Sequence, residues 1–325
     1  MTIYDIAKEA GVSGSTVSRV INNRPGINAE TRKRVQAVLA KYDYSPDEAA
    51  RGLVSRNSGM IGILVSDIRN LHYIEGAYII EEKMLESGYC SIILNTGDDS
   101  GGRAGYIKLL ASRRVKGAVL IGSSFGTPDI EAAIQLHLPS VPVVIANGRL
   151  DLPNAYSVVA DERGGVHEAA SYLLKKGRKD IIYLDGLDTP SNAEKRCGYI
   201  AAMEEAGQAC RVVGTDGTYH GALSVFASIL DSGERVDGVI AAVDIIAMGA
   251  ERAAYDRALR MPDDISIIGI DNSPYAELST PRLSSLDTKL SQLSTACADT
   301  LLAVLGGREA ERVSIIRPSL VIRET

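Results

Sequence analysis

From Met60 onward the chain alternates between two textures, and that alternation limits the folds open to it. Short apolar runs occur at Met60–Val65, Cys90–Leu94, Gly117–Ile121, Val141–Ala146, Ile181–Leu184, Val236–Ala241 and Ile265–Ile270. Between them lie stretches with apolar residues at three- and four-residue spacing: Ile74–Ser87, Glu162–Lys176, Ala193–Ala206, Tyr219–Asp231 and Ile245–Ala258. Runs this short read as strands buried on both faces, and the 3.6-residue period reads as helix. Strand followed by helix, repeated, predicts parallel sheets with right-handed crossovers. About ten such units are too many for one small sheet, so two doubly wound subdomains sharing a cleft are expected.

The first sixty residues follow a different pattern. Thr2 and Asp5 have the spacing of a capping box, and Ile3, Ile6, Ala7 and Ala10 line one helical face. Ala10-Gly11-Val12 is a tight turn in which Gly11 alone has free access to positive φ. Ser13 can cap a second helix with Val17, Val20 and Ile21 on its apolar stripe. That makes a helix-turn-helix. Off the stripe lie Ser15, Thr16, Ser18, Arg19 and Asn22, hydrogen-bonding groups and one guanidinium with no acid among them. Such a face can reach base edges and phosphates in a major groove, whereas an ordinary helical hairpin has little reason to collect it. Asn28 can cap a third helix, Ala29–Tyr42, with Val35, Val38, Leu39 and Tyr42 on one side. Its first turn holds Thr31, Arg32, Lys33 and Arg34, placed for phosphate contact as well as for solvent. Ser45-Pro46-Asp47-Glu48 then starts a short helix through Val54. With few apolar residues and Gly52 inside it, this helix is marginal alone and is expected to order with a partner. Arg56–Gly59 reads as linker.

The formal charge of −6 would by itself argue against a nucleic-acid binder, but the charge is unevenly placed. Residues 1–56 carry nine Lys/Arg against six Asp/Glu, which leaves −9 on the remainder. A basic head on an acidic body suits a chain that turns one face to phosphates. The four cysteines, Cys90, Cys197, Cys210 and Cys297, show no metal-ligand spacing and are expected to be small buried apolar residues. No cofactor or metal is implied. Neither a signal segment nor a long apolar run is evident, so a soluble, cytoplasmic protein with no membrane partner is expected.

The segment from Thr2 to Asn22, TIYDIAKEAGVSGSTVSRVIN, resembles without gaps the headpiece of the lactose-repressor (LacI/GalR-type) family of bacterial transcriptional regulators. The resemblance implies a helix-turn-helix headpiece over residues 1–44, a hinge helix and linker over 45–58, and an effector-binding and dimerisation domain over 59–325. That domain would look like a periplasmic sugar-binding protein. Its N-subdomain would span about 59–160 and 287–318, and its C-subdomain about 161–286 and 319–325. The chain would cross between them near Ala160, Leu286 and Pro318. The hinge helix would fold on operator DNA, with Leu53 wedged between base steps in the minor groove. Tyr4, Ser13, Asn28 and Ala50 would join Ser15, Thr16, Ser18, Arg19, Asn22, Thr31, Arg32 and Leu53 at the DNA. One helix-turn-helix reads a half-site, so a homodimer on a pseudo-palindromic operator is implied.

Ligands of open α/β sheets sit beyond the carboxyl ends of strands. That rule selects Asp67, Asn70, His72, Tyr73, Asn95, Ser123, Asn147, Asp161, Asn192, Asp244 and Asp271. Carboxylates, amides and aromatic rings are what a polyhydroxylated ligand needs. Asp67-Ile68-x-Asn70 followed by His72-Tyr73 is similar to the family's D-I-x-N-P-F-F segment, with a more polar wall. Its R-x-x-G-F motif matches Lys195-Arg196-Cys197-Gly198-Tyr199, which leaves Lys195 or Arg196 as the effector cation. Val243 stands where the family carries an asparagine contact, and Asp271 is the pocket carboxylate. Asp244 is expected to be a helix N-cap instead. No catalytic constellation appears among the serines, histidines or acids, and the chain is not read as an enzyme. The reading that results is a DNA-binding transcriptional regulator, a repressor, controlled by a sugar-like effector between two lobes. The alternative is a cytoplasmic sugar-binding or sugar-modifying protein with an incidental helical head.

Overall fold

The computed structural model describes residues 2–21, 24–42, 59–97 and 100–325. The expected hinge helix, with Ala50 and Leu53, and Asn22 of the second helix lie outside the described residues. The chain forms two compact units that divide at Ser58 and Gly59.

In the N-terminal unit, helices α1 (Ile3–Ala10), α2 (Gly14–Ile21) and α3 (Ala29–Lys41) enclose one small core of Ile6, Ala7, Ala10, Val17, Val20 and Val35. Local chemistry sets each end. Asp5 N–H donates to Thr2 Oγ1 at 3.3 Å while Thr2 N–H donates to Asp5 Oδ2 at 2.8 Å, closing the capping box. Gly11 stops α1 at φ +64°, a conformation that strains residues with a Cβ. Thr16 N–H donates to Ser13 Oγ at 3.2 Å and Thr31 N–H to Asn28 Oδ1 at 2.7 Å, which starts α2 and α3.

The second unit holds two six-stranded sheets. The first contains β1 (Met60–Val65), β2 (Cys90–Asn95), β3 (Gly117–Ile121), β4 (Val143–Ala146), β5 (Ala155–Ala160) and β11 (Val313–Ile316) in the order β11-β5-β4-β3-β1-β2, all parallel. Around it lie α4 (Leu71–Glu86), α5 (Ser100–Ser112), α6 (Pro128–His137) and α12 (Leu290–Leu305). The second contains β6 (Ile181–Asp185), β7 (Val212–Gly214), β8 (Gly238–Ala241), β9 (Ser266–Ile270), β10 (Ser284–Asp287) and β12 (Ser319–Val321) in the order β12-β10-β9-β8-β6-β7. Its helices are α7 (Glu162–Lys175), α8 (Pro190–Glu205), α9 (Tyr219–Asp231), α10 (Asp244–Tyr255) and the short α11 (Pro274–Leu278). The chain passes from lobe to lobe three times, after β5, after β10 and between β11 and β12. β12 runs antiparallel to β10, so the second sheet is not wholly parallel. Only Arg317 and Pro318 separate β11 from β12, too short a link for a crossover helix.

The apolar runs correspond to β1, β3 and β9 within a residue, and β4 and β8 begin two residues later than their runs. Several elements leave no such signal. β7 and β11 are edge strands of three and four residues with alternating exposure. β10 opens on two fully buried serines whose hydroxyls are satisfied by partners distant in sequence: Ser284 Oγ donates to the Thr325 carbonyl at 2.9 Å and Ser285 Oγ to Asp244 Oδ1 at 2.6 Å. Serine is tolerated in a core strand on that condition. Three cysteines depart from expectation: Cys90, Cys197 and Cys210 are exposed, and Cys297 alone is buried. Cys90 opens an edge strand, Cys197 sits on the outer face of α8, and Cys210 lies in a loop. Among the described residues no helix is long and apolar enough to cross a membrane.

Candidate functional site

In the N-terminal unit, α2 presents Ser15 and Arg19 to solvent, with Ser13 just before it. Ser13 Oγ lies 2.8 Å from Ser15 Oγ and 2.9 Å from Thr16 Oγ1, which makes a cluster of hydroxyls at the helix N-terminus. The Tyr4 ring, three-quarters exposed, stands 3.5 Å from the place a Cβ on Gly14 would take. Thr16 and Ser18 are half-buried at the edges of the apolar stripe. Arg32 is committed differently, donating to the Arg24 carbonyl at 3.0 Å and so bracing the loop before α3. Asn28 spends its carbonyl oxygen on the cap, and Thr31 donates to it through its backbone. The surface is polar, basic at Arg19 and free of acid along α2, which suits a groove bordered by phosphates.

In the second unit, a cavity of about 300 Å³ opens where the carboxyl ends of both sheets meet. One wall comes from the first lobe: Asn70, His72 and Tyr73 after β1, Ser123 after β3 and Asn147 after β4. The other comes from the second lobe: Asn192 and Lys195 on α8, Val243 before α10, and Asp271 after β9. Asn147, Asp271 and Asn272 hold positive φ of 55°, 106° and 50°, conformations that cost energy and gather at functional sites. Two contacts join the walls. Ser191 N–H donates to Ser123 Oγ at 3.1 Å, and His72 Nδ1 lies 3.7 Å from Asp271 Oδ1.

The deepest charge is Lys195, whose ammonium donates to the Ala242 carbonyl at 3.1 Å and lies 3.6 Å from Glu162 Oε1. Burial works against this cation, but Glu162, Asp271 and Tyr73 outweigh it and hold its pKa above the ordinary lysine value. Asp244 accepts from Ser273 N–H and Oγ, both at 2.7 Å, and from Ser285 Oγ. Burial and the nearby Asp271 nonetheless push its carboxyl up to about 7. Among the described residues no group of three or more His, Cys, Asp or Glu could hold a metal ion.

Comparison with known proteins decides the ancestry of this arrangement. An HTH-type transcriptional regulator of Lachnoclostridium phytofermentans is 33% identical over 335 residues, covering 100% of this chain and 99% of that protein. The chain belongs to the lacI family of bacterial regulatory proteins. The family described as bacterial regulatory proteins, lacI family, matches residues 2–47, and the periplasmic binding protein-like domain matches residues 170–325. Catabolite control protein A of Priestia megaterium is 30% identical over 322 residues, covering 98% of this chain and 96% of that one. In fold the chain is similar to the lac repressor dimer bound to operator and the anti-inducer ONPF, with a TM-score of 0.91, 24% identity and coverage of 100% and 98%. It is also similar to the transcriptional regulator CelR in complex with cellobiose, with a TM-score of 0.72, 25% identity and coverage of 100% and 99%. These relatives are regulators rather than enzymes.

In this lacI-family chain the strand-end rule reaches most of the cleft wall, but Asn95 lies off the cavity and four other readings need correction. Asp67 lies off the cavity because Arg69 grips it, Nε at 2.9 Å from Oδ1 and Nη2 at 2.8 Å from Oδ2. Asp161 is also off it, exposed and capping α7 through Gly164 N–H at 3.0 Å. Arg196 faces away from the cavity and is ion-paired with Asp185, so of the two neighbours it is Lys195 that lines the cleft. Asp244 is not the N-cap of α10: Val243 takes that position without a side-chain cap, and Asp244 lines the cavity. The sequence reading misses Glu162, Ser273, Tyr275 and the start of α12 at Leu290. Glu162 and Ser273 stand one and two residues from acids the rule selected, so the strand-end signal reached the right loops. Leu290 carries none, because α12 crosses from the other lobe.

Proposed function

We propose that this protein is a transcriptional repressor, acting as a homodimer on a pseudo-palindromic operator and switched by a small carbohydrate effector in the cleft. Residues 1–44 form the reading head, 45–58 the hinge and 59–325 the effector-binding body, and the protein works in the cytoplasm. The observation that carries the reading is a cavity walled by hydrogen-bonding side chains of both lobes, in a chain whose α2 turns hydroxyls and Arg19 outward. The relatives support it: a lac repressor dimer was solved on operator, and CelR was solved with cellobiose. Asp271, Lys195, Asn192, Ser123, Asn147, Asn70, His72, Tyr73 and Val243 are the proposed effector contacts. At the DNA, Arg19, Ser15, Thr16 and Ser18 face bases and backbone from α2, with Ser13 just before it. Tyr4, Asn28, Thr31 and Arg32 flank them, and Asn22, Ala50 and Leu53 complete the set from the sequence reading.

The mechanism is linkage. A ligand that hydrogen-bonds to Ser123 and Asn147 on one lobe and to Lys195 and Asp271 on the other stabilises one interlobe arrangement over others. If operator favours a different arrangement, each ligand weakens the other by the same factor. The test is selection of genomic fragments on the purified protein, followed by gel shifts with and without carbohydrates. Specific retention of inverted repeats, changed by a carbohydrate, is the expected result. Binding of carbohydrate without any sequence-specific DNA binding would overturn the reading in favour of a simple sugar-binding protein.

A further inference from the structure

The charges lining the cleft are already spoken for. Among the described residues two lysine or arginine side chains reach the cavity, Arg69 and Lys195, against the three carboxyl groups of Glu162, Asp244 and Asp271. Arg69 stands at the exposed mouth, held by the two-pronged contact with Asp67. Lys195 is 4% exposed and has Glu162 beside it. Glu162 is fixed in turn, because its Oε1 accepts from Ser191 Oγ at 2.7 Å. On the far side, Asp271 faces His72. Burial, and after it the charge of Asp271, raises the Asp244 carboxyl to about 7. A phosphate or carboxylate entering here would meet these carboxylates in a site shielded from water, with both cations already paired. Hydroxyl groups meet no such obstacle: they donate to Glu162 and Asp271 and accept from Lys195. A cavity of about 300 Å³ lies at the small end of ligand sites, room for a compact ligand.

We propose that the cleft selects an uncharged polyhydroxylated ligand and rejects its phosphate ester or carboxylic acid, because Glu162 holds the Lys195 ammonium in an internal ion pair. The inference rests on the cleft being the effector site. It makes Glu162 a specificity-determining residue that the strand-end rule passes over.

The test is calorimetric titration of the full chain with neutral aldoses, each paired with its phosphate ester and its uronic or aldonic acid. A neutral member should bind about 100-fold tighter than its charged counterparts, the order expected when a charge is buried without a partner. A second arm uses inorganic phosphate as the probe. It should leave the melting temperature of wild type unchanged and raise that of Glu162→Gln, in which Lys195 is released. The same variant should narrow the neutral-to-anionic ratio at least ten-fold. If a phosphate ester or sugar acid binds wild type as tightly as the neutral sugar, the inference fails while the effector reading stands. An unchanged ratio in a folded Glu162→Gln also overturns it. If no member of either set binds, the effector reading and the inference fall together.

Discussion

Glu251 is 6% exposed on α10, two turns after Asp244, and its Oε1 makes no hydrogen bond among the described residues. Burial, reinforced by Asp244, pushes its carboxyl from 4.5 up to about 8. The folded chain therefore holds a proton that the unfolded chain releases above its ordinary value. Stability from this group is fully present below about pH 4.5, falls as pH rises, and is lost once pH passes about 8. Methionine at this position keeps the length and removes the ionisable group. At about 1.4 kcal/mol per pH unit, Glu251→Met should gain roughly 2 kcal/mol more over wild type at pH 8 than at pH 6. Asp244 titrates in the same range but is present in both proteins, so it largely cancels in the difference. Urea unfolding of the full chain, followed by far-ultraviolet circular dichroism at half-unit steps from pH 5 to pH 9, measures it. A variant-minus-wild-type difference that stays flat between pH 6 and pH 8 would refute the reasoning.

Other substitutions test the packing and the two proposed sites. A Cβ at Gly198 would fall 2.2 Å from the Arg163 carbonyl oxygen, so Gly198→Ala should force α7 and α8 apart. The loss should be about 1–3 kcal/mol, read from urea midpoints. Arg19→Ala should weaken binding to a selected operator by roughly 1–3 kcal/mol without altering carbohydrate affinity. Equal operator affinity would remove Arg19 from the reading surface. Asp271→Asn keeps a residue type that tolerates positive φ and removes the charge. It should raise the effector dissociation constant about ten-fold and leave operator binding without effector unchanged. Loss of operator binding would instead place Asp271 in the fold.

What could be read from the chain alone follows from which interactions are local. The capping box at Thr2 and Asp5, the Gly11 turn and the caps at Ser13 and Asn28 each involve residues within a few positions of one another, so the head was legible. Strands buried on both faces, such as Gly117–Ile121, announced themselves as unbroken apolar runs. Family resemblance over Thr2–Asn22 then supplied the architecture that periodicity only bounded. Tertiary structure decided whatever depends on a partner distant in sequence. Lys195 and Arg196 are neighbours on α8, and their fates differ because helical rotation turns one toward Glu162 and the other toward Asp185. Asp244 has the position of a cap by spacing, yet Ser273 and Ser285, 29 and 41 residues away, draw its carboxylate into the cleft. Strand β10 begins with two serines and is invisible to any apolar reading, because the bonds that let it be buried come from Thr325 and Asp244. In each case a side chain's environment is built by segments that meet only when the sheets close, and the sequence carries no local record of that meeting.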